Sequence, residues 1–149
     1  MYSDTVTVFN RYRSKLGDMW YPTVLRGVDL NTDRANIVAK YGEASADTAV
    51  LHIKYELADG QKTIAGKPYL PPKEWERQTN DMLAESITFT SGQDFDFFWR
   101  GEWPDDDPIS DEDYLDGFYS HMNSRHDDVY AITRHAWYSL IPHFEIGGK

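Results

Sequence analysis

The groups in this sequence with chemistry to offer are a dense run of carboxylates, five histidines and a lysine in a glycine turn. The run holding Asp105, Asp106, Asp107, Asp111, Glu112 and Asp113 collects the oxygens that hard cations need. A helix–loop–helix calcium site requires a glycine at its sixth position and a glutamate at its twelfth; counted from Asp105, these positions hold Ser110 and Asp116. The spacing therefore favours a solvated acidic loop whose charges stabilise the start of a following helix. His121 and His126 are five residues apart, which puts them on different faces of a helix rather than on the shared face a metal pair needs. His52, His135 and His143 read as ordinary surface or half-buried histidines. Ala65-Gly66-Lys67-Pro68 lacks the upstream glycine and the hydroxyl of a phosphate-binding loop, and no Gly-x-Ser-x-Gly elbow occurs. No catalytic residue, metal ligand or cofactor site is assigned.

The most unusual segment is aromatic: Phe95, Phe97, Phe98, Trp99 and Trp103. Strand alternation would send Phe95, Phe97 and Trp99 to one face and Phe98 to the other. Core packing is the simpler explanation, and a protein–protein interface is the functional one. Only Arg100 lies close by among acids, which argues against stacking on a nucleic acid.

The elements that must position these groups are mostly strands. Thr5–Tyr12 alternates with period two. Met19–Leu30 follows, with Trp20, Pro22, Val24, Arg26 and Val28 on one parity, and the pair forms a hairpin. Thr48–Leu57 sets Leu51, Ile53, Tyr55 and Leu57 on one face, and Asp59-Gly60 turns it into a second hairpin. Pro71-Pro72 opens a short helix that carries Trp75, and Ser86–Thr90 alternates again. Ser110 caps a helix over about 110–123, and Val129–Arg134 and Tyr138–Ile146 are closing strands before Gly147-Gly148 releases the C-terminus. Residues 31–46 fit either a helix begun at Asn31-Thr32-Asp33 or an extended segment. The expected fold is mainly β (α+β), a single domain over 1–149: a β-barrel or sandwich of about six to eight strands with one clear helix and one or two helical turns.

Composition limits the function classes. There are no cysteines, which removes disulfides, thiolate metal sites and cysteine nucleophiles. With 15 Lys+Arg against 25 Asp+Glu, the net charge of −10 disfavours binding to phosphate backbones or anionic lipid. The N-terminus has no leader-like pattern and no apolar run is long enough to span a bilayer, so a soluble intracellular protein is expected.

Three strings carry a resemblance. They are Asp4-Thr5-Val6-Thr7-Val8-Phe9-Asn10-Arg11-Tyr12; Trp20-Tyr21-Pro22-Thr23-Val24-Leu25 with Gly27-Val28; and Phe95-Asp96-Phe97-Phe98-Trp99-Arg100-Gly101-Glu102-Trp103. Taken together over nearly the full length, the chain resembles small proteins encoded among the structural genes of tailed phages and prophages, of the minor capsid or head–tail joining type. The resemblance implies a β-barrel-like subunit in a homo-oligomeric ring between portal and tail. Its partners would be other phage structural proteins, and it would occupy the host cytoplasm during assembly and then the virion. It carries over no catalytic residue and no cofactor. Two readings from other classes stand beside it. One is an acidic inhibitor that imitates DNA charge through the carboxylates of 102–116; the other is a metal-dependent enzyme built on the Asp105–Asp113 loop.

Overall fold

The computed structural model describes residues 2–92 and 96–149. In chain order its elements are β1 (Asp4–Tyr12), β2 (Met19–Asn31), α1 (Arg34–Tyr41), β3 (Ala49–Lys54), β4 (Glu56–Ala58), β5 (Gln61–Ile64) and β6 (Lys67–Pro68). There follow α2 (Pro72–Glu76), α3 (Asn80–Ala84), β7 (Phe97–Trp99), β8 (Ile109–Ser110), α4 (Phe118–Arg125), β9 (Val129–Tyr138) and β10 (His143–Gly148). The chain is mainly β, and six antiparallel strands close into a barrel in the order β1-β7-β9-β10-β3-β2, with β2 pairing back onto β1. Closure leaves those six strands no free edge.

All six barrel strands contribute to one interior cluster, including Val6 and Val8 from β1, Leu51 and Ile53 from β3, Phe98 from β7, Ile132 from β9, and Phe144 and Ile146 from β10. On β2 the inward residues begin as Leu25 and continue as Val28 and Leu30, so the single parity expected for this strand is broken. The cause is a bulge. Asp4 pairs with Val28 but Thr5 with Arg26, and the intervening Gly27 sits at φ 67. The extra residue turns the strand over and lets β2 leave β1 for β3, where Leu30 pairs with Leu51. Trp20, expected on the same parity as Val28, faces outward instead.

The Asp59-Gly60 turn joins β4 to β5 with both residues at positive φ, as a two-residue hairpin requires. Leu57, expected on the buried face with Leu51, is 63% exposed because β3 ends at Lys54 and the chain leaves the barrel wall. Residues 31–46 resolve to the helical alternative: Asp33 caps α1 by accepting from the Ala35 and Asn36 amides. Trp75 on α2 packs with Leu83 and with Tyr21 near the start of β2.

Ser86–Thr90 forms no strand. A single parallel bridge joins Ile87 to Tyr69, and Ile87 and Phe89 are wholly buried in the interior cluster. With the six walls already paired, this alternating segment serves as filling rather than as a wall. The helix expected over 110–123 also starts later. Asp111–Asp113 is a 3-10 turn, Gly117 at φ 89 breaks the chain path, and α4 begins at Phe118. Ser110 makes no capping bond; the Asp111 Oδ1 accepts from the Phe118 amide at 2.9 Å instead. Gly147 and Gly148 do not release the C-terminus but lie buried within β10. A Cβ on Gly148 would stand 2.9 Å from the Tyr130 Cβ and 3.0 Å from the Phe98 ring, so only glycine lets these layers approach.

Candidate functional site

The aromatic segment divides between two layers. Phe98 points into the barrel, whereas Phe97 points outward and is covered by a second cluster with Phe9, Trp20, Phe118 and Met122. Both are fully buried, so neither is available as an interface residue; two-sided burial of β7 accounts for its lack of a polar face. Trp99 and Trp103 are half-buried at the margin of the outer cluster, Trp103 edge-on to Phe9 and Phe118 at 5.5 and 5.4 Å. Phe95 lies outside the described residues.

The acidic loop is also divided. Asp105, Asp106, Asp107, Glu112 and Asp113 are exposed, and Asp105 accepts from the Asp107 amide. Asp111 is a structural hub: its Oδ1 accepts from the Trp20 indole at 2.8 Å and from the Phe118 amide, and its Oδ2 lies 3.8 Å from the Arg11 guanidinium. Asp111→Ala is expected to lower unfolding stability by about 2–3 kcal/mol, since it orphans a buried indole N–H and uncaps α4. Urea titration checks this, with Asp113→Ala as the exposed control expected to stay within about 0.5 kcal/mol. Among the described residues, no group of three or more His, Asp or Glu side chains converges to hold a metal ion.

A second polar group lies on the outer face of β9, β10 and the approach to β3. Buried Asp47 accepts from the Thr133 hydroxyl and from Arg134 Nε, and Glu145, only 4% exposed, stands 3.7 Å from Lys40 Nζ. These contacts tie α1 and its following loop to the barrel wall. Nearby His52 titrates below the usual histidine range, chiefly through burial.

Two surface features remain after the core and the structural ion pairs are set aside. The first is the tip of the β9–β10 hairpin, where Trp137, Tyr138, Leu140 and Ile141 are 50%, 46%, 95% and 71% exposed. This tip is held in place. The Tyr55 hydroxyl donates to the Tyr138 carbonyl at 3.0 Å, Tyr138 stacks on His143 at 5.0 Å, and Lys62 Nζ lies 3.8 Å from the Trp137 ring centre. A single strand over Tyr138–Ile146 makes Leu140 and Ile141 pass for core; the signal for the turn is that Ser139 and Pro142 bracket them.

The second feature is a cleft of about 920 Å³ beside the β1–β2 turn, floored by Tyr12, Met19 and Tyr21 and edged by Leu16, which is 95% exposed. Asp81, Glu85, Asp106 and Asp107 line its rim, placing two residues of the expected acidic loop here. Among the described residues, Lys67 is the one cation in the lining; its Nζ donates to Thr23 Oγ1 at 3.0 Å, and burial lowers its pKa. Such a pairing of an apolar tip flanked by Lys62 with an aromatic, acid-rimmed cleft suits contact with protein surfaces.

No curated protein and no solved structure matches the chain. One family profile does, across residues 1–149. The chain accordingly belongs to the family described as "Family of unknown function (DUF6751)".

Proposed function

We propose that this chain is a structural or assembly protein of a tailed-phage or prophage particle, a barrel subunit of the head–tail neck whose work is to be contacted by its neighbours. The observation that carries the reading is the rigidly held apolar tip of β9–β10: side chains as large as Trp137, Leu140 and Ile141 exposed together are a cost in solution that a partner surface removes. The resemblance carried by the Asp4–Tyr12 and Trp20–Val28 strings supplies the kind of assembly, and the barrel supplies a rigid body suited to it. A net charge of −10 agrees with a part that lets DNA pass without holding it. The DNA-imitating alternative loses some of its charge to cations of the same chain, with Asp111 3.8 Å from the Arg11 guanidinium and Glu102 paired with Arg26 at 2.9 Å.

The reading is tested by peptide mass spectrometry of particles purified by density gradient from an induced host that carries the coding sequence. Recovery of the chain in the particle band at a fixed ratio to the portal protein is expected. Its absence from intact particles would refute a virion role.

A further inference from the structure

The two surface features have opposite character and stand on opposite sides of the same barrel. In the ring order β1-β7-β9-β10-β3-β2, the β9–β10 junction is separated from the β2–β1 junction by one strand on either side. Because direction alternates around the ring, β1 and β9 run the same way, and their turns emerge at the same end. The tip is fixed where it stands by Tyr55 and Lys62, so one molecule cannot place its own tip in its own cleft, but two molecules side by side can.

From this arrangement we infer that the β9–β10 tip of one copy docks into the cleft beside the β1–β2 turn of a second copy of the same chain, a head-to-tail contact that rests on the assembly reading above. The cleft has room for the branched side chains of Leu140 and Ile141, which would meet Met19 and the rings of Tyr12 and Tyr21. Charge complements shape. The tip segment from Arg134 to Phe144 contains no carboxylate; Arg134 is paired with buried Asp47, and the positive charge at the tip comes from Lys62, which lies on Trp137. The acids near it are answered locally: Asp47 by Arg134 and Thr133, and Glu145 by Lys40, while Glu56 lies on β4 outside the turn. Among the described residues, the cleft lining offers Asp81, Glu85, Asp106 and Asp107 against Lys67. For a chain of net charge −10, whose copies repel on average, such a local match is what makes a self-contact favourable. A contact joining two different patches propagates, so it closes into a ring or extends as a chain rather than stopping at a pair.

Sedimentation velocity on the full chain tests the contact. The wild type is expected to exceed the mass of a dimer at concentrations of about 0.5 mM, since one tip in one cleft makes a small and weak interface. Leu140→Asp with Ile141→Asp removes the tip, and Glu85→Lys with Asp106→Lys reverses the rim; all four side chains lie at the surface, so both variants should fold, as circular dichroism would verify. Each variant alone should stay monomeric. Mixed in equal amounts they should form pairs and nothing larger, because the rim variant still has a tip and the tip variant still has a cleft. A wild type that stays monomeric, variants that associate like the wild type, or a mixture that stays monomeric would each overturn the inference. Recovery of the chain in purified particles together with a monomeric wild type would remove this contact while leaving the assembly role; self-association with absence from particles would do the reverse.

Discussion

Phe97→Ala is expected to destabilise the protein by about 4 kcal/mol, a large part of the roughly 5–15 kcal/mol that holds an ordinary domain together. The ring is fully buried on the outer side of the barrel and touches four others: it stacks on Phe9 at 4.8 Å and meets Trp20, Tyr119 and Phe118 at 5.0, 5.0 and 5.8 Å. Truncation leaves a cavity among rigid rings that cannot close over it, and it discards aromatic contacts worth about 0.5–1.5 kcal/mol per pair beyond burial. Phe97→Leu keeps most of the volume and should cost less than half as much. Chemical denaturation of the two variants and the wild type reads this directly. If Phe97 were instead an interface anchor, alanine would leave stability unchanged, and that result would contradict the two-layer description.

The second large effect depends on pH. Asp96 is fully buried, and burial raises its pKa from 3.8 to about 7 despite hydrogen bonds that favour the charged form. Those bonds come from the Arg11 amide to Oδ1, and from the Asn10 side-chain amide and the Thr90 amide to Oδ2. They join β1 to the segment entering β7. A carboxyl whose pKa is higher folded than unfolded binds its proton more tightly when folded. Its contribution is therefore fully present below the unfolded value, is lost as pH rises to the folded value of about 7, and changes no further above it. The difference between the two values corresponds to a loss on the order of 4 kcal/mol across that window. His52 and His135, both lowered mainly by burial, change stability in the opposite sense near neutral pH, so the Asp96 contribution has to be isolated by difference. Asp96→Asn gives up at least one backbone hydrogen bond and should be less stable than the wild type at about pH 5 by about 1–3 kcal/mol. That gap is expected to narrow or reverse by about pH 8, because the variant has no proton to lose. Urea titrations at intervals of about one pH unit across that window check it; a gap that does not change with pH would refute the raised pKa.

Much of the barrel was legible because short-range rules suffice for it. Period-two alternation marks β1 and the Leu51–Tyr55 stretch, and Asp59-Gly60 dictates its own turn whatever surrounds it. Apart from the β9–β10 turn at Ser139–Pro142 and the break at Gly117, both of them local signals, the main misreadings concern non-local facts. Alternation in β2 cannot register the bulge at Gly27, which exists because the strand must change partners. Ser86–Thr90 carries a strand pattern, but closure of the ring leaves it no wall position, so it fills the interior. Phe97 and Phe98 look like surplus aromatics until a second layer, built from β8 and α4, covers the outer face. Asp111 shows the same limit on the site. Its position in an acidic run suggests solvent, while Trp20, 91 residues away, makes it structural. The acid-rimmed cleft takes only Asp106 and Asp107 from that run and adds Asp81 and Glu85 from the chain around α3.

Electron microscopy of lysates from an induced host whose copy of the coding sequence has been deleted decides whether this chain joins the parts of a particle. Filled or empty heads and free tails, unjoined, are predicted, with joining restored by the wild-type chain and not by the Leu140→Asp, Ile141→Asp variant. Complete infectious particles in the deletion lysate would contradict a joining role.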